Sequence, residues 1–171
     1  LNLYEHQSTC SPNLPLRFLF YVADVYSDFT KEMNLYGSKA VKIPTPHFII
    51  FYNGTEEQPD QRELRLSDTF QVKEDQPQLE LKATMLNINK GHNKKLLDAC
   101  RTLRDYAEYT ALVRKHAQDM PLAGAVEKAV DECIKRGVLA EFLEKNRAEA
   151  IKVSIYEYDE ERHMRQTKEE G

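Results

Sequence analysis

The sequence predicts an α/β fold with a helical C-terminal region. Three observations predict it: a period-two stretch at the N-terminus, a helical stretch followed by an aromatic and β-branched run, and long amphipathic repeats after Gly91. Leu1 to Thr9 alternates Leu1, Leu3, Glu5 and Gln7 against Asn2, Tyr4, His6 and Ser8, the pattern of a strand whose apolar face turns polar at its tip. Ser11-Pro12-Asn13-Leu14-Pro15 breaks it. Leu16 to Tyr36 then reads as a helix with a stripe through Leu16, Leu19, Phe20, Ala23 and Thr30. Pro15 is tolerated in its first turn and Gly37 is its stop. His47 to Tyr52 is a second strand with both faces apolar, closed by the turn Asn53-Gly54. Glu63 to Leu66 is a short strand, Asp68 to Gln78 is irregular, and Leu79 to Asn89 alternates as a further strand.

Beyond Gly91 the spacing predicts helices over Ala99–Ala117, Leu122–Ile134 and Ala140–Tyr158, with a charge-rich, frayed tail from Asp159 to Gly171. The expected division is therefore an α/β part over 1–90 and a helical extension over 91–171.

Composition narrows the function classes. A net charge of −4 argues against a protein that coats nucleic acid over its whole surface, though not against a local basic patch. No apolar run approaches the roughly 20 residues of a membrane span. Cys10, Cys100 and Cys133 are odd in number and far apart, which reads as reduced thiols in a cytoplasmic protein. No secretory signal opens the chain. It begins with Leu1 inside a strand rather than with Met, so it is expected to start within a fold whose upstream strands are missing. Phosphate-binding glycine loops, H-E-x-x-H, G-x-S-x-G and zinc-spaced Cys/His sets are absent.

Glu5-His6-Gln7 is the sharpest motif. Two polar side chains two apart on a strand point the same way. A carboxylate there can hold a hard divalent cation, and the second group can position water or phosphate. Spacing alone does not separate this pair from a solvated strand end, the commoner setting of E-x-Q. Arg17 is a phosphate contact or an ordinary salt-bridging arginine. His6 faces away from Glu5. Glu56, Glu57 and Asp60 lack the spacing of a calcium loop and read as solvated. Lys90, Lys94, Lys95, Arg101 and Arg104 form the most basic stretch, either a phosphate-facing surface or a helix's wet face. Tyr4, Tyr21, Tyr52, Tyr106 and Tyr109 offer rings that could stack on bases, though at these periodic positions most are expected to be core. Asn87, Asn89 and Asn93 read as turn and cap residues.

Several motifs in consistent order resemble the recombination-promoting nuclease/transposase family. They are Leu3-Tyr4-Glu5-His6-Gln7-Ser8-Thr9, Pro15-Leu16-Arg17, Lys42-Ile43-Pro44-Thr45-Pro46, Phe51-Tyr52-Asn53-Gly54, Leu86-Asn87-Ile88-Asn89 with Gly91 and Asn93, and Phe142-Leu143 with Asn146-Arg147-Ala148-Glu149. The resemblance implies a PD-(D/E)XK restriction-endonuclease-like core, here partial: a mixed sheet with flanking helices. It implies a cytoplasmic, bacterial, magnesium-dependent (or other divalent-metal) DNA endonuclease associated with recombination or transposition. Glu5 falls on the metal-holding carboxylate, and Gln7 on the position usually held by Lys. The catalytic pair implied is thus Glu5 and Gln7, with Glu5 the metal ligand and Arg17, Lys90, Lys94 and Lys95 on DNA. The family's first acidic residue lies one strand earlier. No acid precedes Glu5 here, so the chain alone is expected to be inactive. The alternative is a non-catalytic remnant serving as an interaction or oligomerisation module. The stripes from Ala99 onward suit a homodimer interface as well as a core, and periodicity does not separate the two.

Overall fold

The computed structural model describes residues 1–169, with side chains to Tyr158. The described residues form an α/β structure with a four-stranded mixed sheet and helices. Two compact units divide it. The first comprises residues 1–52 and 58–86, the second residues 53–57 and 87–171.

In the first unit, β1 (Asn2–Gln7) and β2 (His47–Tyr52) pair in parallel, with Glu5 opposite Ile50 and Gln7 opposite Tyr52. Parallel strands need a long crossover, and α1 (Leu14–Thr30) lies within it. β3 (Gln61–Arg65) pairs antiparallel with β4 (Lys82–Asn87), giving the sheet order β1-β2-β4-β3. Leu14, Phe18 and Val22, four apart on α1, are buried. Leu14 and Phe18 belong to a core with Ile50, Tyr52, Leu64, Ala83 and Met85. Phe18 meets Phe48 at 5.2 Å between ring centroids.

Several expectations about this unit need correction, among them the strand expected over Leu79–Asn89, which runs only over Lys82–Asn87. The helix ends at Thr30, not Tyr36. Thr30 Oγ1 donates back to the Tyr26 carbonyl at 2.7 Å, and Met33 N–H turns onto the Thr30 carbonyl at 2.8 Å. The buried stripe starts from Leu14, so Leu16, Phe20 and Ala23 are exposed, because α1 is apolar on more than one side. β2 is fully buried only at Ile50 and Tyr52, and its other face is half covered.

In the second unit a short α2 (Lys94–Ala99), not anticipated, precedes α3 (Arg101–Ala117) and α4 (Leu122–Arg136). The expected helix from Ala140 is two helices, α5 (Ala140–Lys145) and α6 (Arg147–Glu169). Asn146 leaves helical geometry, at φ −119° and ψ 26°, and its Nδ2 donates to the Phe142 carbonyl at 3.0 Å. The fraying expected of 159–171 lies outside the described side chains. Tyr109, Val113, Val126, Val130, Cys133 and Leu143 form this unit's core. Gly137, at φ 73°, closes α4 in a left-handed cap that suits glycine.

Glu80 fastens the turn after β3. Its carboxylate accepts the Ser67 hydroxyl at 2.6 Å, Ser67 N–H at 3.2 Å and Leu81 N–H at 3.0 Å. The Ser67 hydroxyl bond is the main reason its carboxyl is held below the ordinary 4.5, against an opposing contribution from burial. A depressed carboxyl stabilises the fold fully above its unfolded value, and that stability is lost as pH falls through the lowered folded value. Glu80→Ala should therefore cost about 1–2 kcal/mol in urea unfolding at pH 7. The wild-type advantage should shrink as pH drops below 4.5; a gap that is constant with pH would refute the assignment.

Candidate functional site

The C-terminal end of β1 and the first turn of α1 bring three of the expected residues together. Strand alternation places Leu3, Glu5 and Gln7 on one face. Leu3 packs against the first unit's core, and Glu5 and Gln7 continue that line to the strand end. Gln7 Nε2 donates to Glu5 Oε1 at 3.2 Å. Arg17, on α1, forms an ion pair with the same oxygen through Nη2. That nitrogen also lies 3.4 Å from the Tyr21 hydroxyl, one turn further on. The Glu5 side chain is 15% exposed and the Arg17 side chain 43%. The carboxylate is thus set into the surface and the guanidinium covers it from the wet side.

A hard cation binds through one or two carboxylates with waters and substrate phosphates, and here the carboxylate of Glu5 is already taken by Arg17 and Gln7. The site holds one carboxylate. Among the described residues no group of three or more His, Cys, Asp and Glu side chains could hold a metal ion.

The other expected residues lie elsewhere. Lys90, Lys94 and Lys95 are in the second unit, exposed on the turn after β4 and the first residues of α2. Arg101 and Arg104 are paired with the buried Asp105, at 3.4 and 3.8 Å. His6 alternates to the opposite face from Glu5. Asn87 Oδ1 accepts Asn89 N–H at 3.0 Å, and Asn93 Nδ2 donates to the Asn87 carbonyl at 2.9 Å. Asn89 Nδ2 donates to the Gly54 carbonyl at 2.9 Å. These asparagines fix turns, although Asn93 caps α2 in left-handed geometry without a side-chain bond to it. Of the tyrosines, Tyr52 and Tyr109 are core, while Tyr4 and Tyr21 are exposed. Tyr4 stacks on Phe51, with ring centroids 5.7 Å apart. Cys133 is buried, which pushes its thiol up to about 11 and makes it a poor nucleophile.

The sequence reading missed Tyr21 as a neighbour of Arg17. The i, i+4 spacing on a helix starting near Pro15 was the available signal. A cavity of about 620 Å³ in the second unit was also missed, lined by Leu103, Tyr106, Tyr109, Phe142, Leu143 and Val153 among others. Asn146, between α5 and α6, also lines it.

No protein-family model, curated protein or solved structure matches the chain. No helix among the described residues is long and apolar enough to cross a membrane.

The Glu5–Arg17 pair predicts a measurable coupling. A double-mutant cycle of Glu5→Gln and Arg17→Met in urea unfolding should give about 0.2–1 kcal/mol, the range of partly exposed pairs. The coupling should fall in 1 M salt, where screening reaches about 3 Å. Strictly additive variants would show that the two side chains do not interact in solution.

Proposed function

We infer that this chain forms part of the site of a divalent-metal-dependent DNA endonuclease of the PD-(D/E)XK type, associated with recombination or transposition. The convergence of Glu5, Gln7 and Arg17 at the C-terminal end of a parallel strand carries the reading. Open α/β sheets bind ligands beyond the carboxyl ends of their parallel strands. Glu5 is the residue to hold the cation. A cation there supplies charge neutralisation at the phosphate and a more acidic water. Gln7 accepts or donates a hydrogen bond and so orients water or phosphate, but its neutral amide adds no charge to the transition state. Arg17 offers the planar donor pair that suits phosphate oxygens. Lys90, Lys94 and Lys95 are the phosphate contacts that this reading assigns to the second unit. One carboxylate is a thin metal site, so this chain by itself is expected to cut poorly, with a further acid completing the site in the active protein.

Magnesium-dependent nicking of supercoiled plasmid tests the reading, comparing this chain with a form extended upstream by a strand that carries an acid. The extended form should nick and this chain should not. Glu5→Ala should reduce nicking by at least about 100-fold, the scale of losing a catalytic group. Folded protein that never nicks, or a Glu5→Ala protein that nicks normally, would replace the endonuclease with a non-catalytic interaction module.

The lysines have their own readout. Replacing Lys90, Lys94 and Lys95 together by alanine should weaken DNA binding regardless of sequence. The slope of log affinity against log salt should flatten by about 2–3, because each phosphate that is no longer neutralised removes roughly one from it. An unchanged slope would place these lysines away from the DNA.

A further inference from the structure

We propose that the cavity lined by α3, α5 and α6 is a binding site for a hydrophobic amine, a small molecule with an aromatic body and one ammonium group. The inference is independent of the endonuclease reading and concerns the second unit alone. The cavity holds about 620 Å³, within the range of sites that enclose small organic molecules. It reaches Tyr109 and Leu143, which belong to the core of this unit. It is therefore a pit that a compact body fills, rather than a flat patch for a partner's helix to lie on. Phe142 and Val153, 56% and 49% exposed, stand where it meets solvent. An apolar occupant takes both from water.

Two features select the charge of the ligand. The first is the sign of the lining. Glu149 and Glu157 line the cavity, and among the described residues no lysine, arginine or histidine does. Both lie on the side of α6 that faces it, two helical turns or about 12 Å apart. An ammonium near either carboxylate is attracted, low-dielectric walls strengthen the attraction, and a carboxylate on the same body is repelled. The second feature is the state of the inner polar groups. The Tyr109 and Ser154 hydroxyls, both buried, bond each other at 2.7 Å and so require no partner from a ligand. Burial first, and the charge of Glu157 after it, push the Tyr106 phenol above its ordinary 10. Burial chiefly does the same for Tyr109. The inner wall is thus neutral and internally satisfied, which suits an apolar body. The carboxylates suit the ammonium, and the ring faces of Tyr106 and Phe142 add to its attraction.

The experiment titrates the whole chain with phenylbutylamine and with phenylbutyrate, which share one body and carry opposite charges. Binding is followed by ligand-observed nuclear magnetic resonance, folding by circular dichroism and mass by sedimentation. The amine should bind with a Kd of about 1 mM or tighter, and at least about tenfold more tightly than the acid. The double variant Glu149→Gln with Glu157→Gln should weaken the amine at least about fivefold and bring the two ligands within about twofold of each other. Val153→Trp, at a half-exposed lining position, should weaken both ligands by filling the cavity; if it does not fold, the double variant carries the test. Equal binding of amine and acid by wild type, or an amine preference that survives the double variant, overturns the proposal. So does a folded monomer that binds no amine. A wild-type dimer that binds no amine and becomes monomeric in Val153→Trp overturns it too, and gives the cavity to a second copy of the chain.

Discussion

The parallel pairing of β1 with β2 is the constraint on which the candidate site depends. Its register sets Glu5 beside Ile50 and Gln7 beside Tyr52, so the polar end of β1 adjoins the most buried part of β2. A one-residue slip would turn both groups to the opposite face. Because the strands are parallel, the chain must cross over to reach the start of β2, and α1 opens that crossover shortly after the end of β1. Arg17 reaches Glu5 because the crossover helix begins there, and Phe18 anchors the helix by packing on Phe48.

Much of this architecture was legible because its signals are local. The alternation from Leu1, the aromatic run at His47–Tyr52 and the repeats after Gly91 each fix an element by its period, and all three return as strands or helices. The same-side placement of Glu5 and Gln7 follows from strand geometry alone. What was not legible depended on tertiary choice. Nothing in the spacing of α1 said which of its apolar sides would face the sheet. The ends of α1 and α5 are set by side chains of Thr30 and Asn146 bonding back to main-chain carbonyls, which propensity does not foresee. The ion pair of Arg17 with Glu5 spans a proline-containing break, so sequence separation concealed it.

The second unit is organised by its polar joints as well as by its apolar core. Buried Asp105 draws on two arginines that otherwise read as part of a basic surface, and its Oδ2 receives the Leu139 N–H at 3.5 Å. His116 and Arg136 both bond Glu132, and Arg147 bonds Asp131, so α3 and α6 are each tied to α4 through its carboxylates. The His116 bond is foremost in holding the Glu132 carboxyl below its usual range. Arg101 and Arg104, although exposed, are thus engaged with Asp105, while Lys90, Lys94 and Lys95 are exposed on the turn after β4 and at the start of α2.

Cys133 gives the second unit an internal reporter. Its thiol is enclosed among the residues of α3 and α4 and stays protonated near neutral pH, whereas Cys10 and Cys100 are each partly accessible. An alkylating reagent can therefore modify Cys10 and Cys100 in the native protein, but reaches Cys133 only when the helices separate. The rate at which the third thiol is blocked would time the opening of that core in the unaltered molecule, with no engineered label.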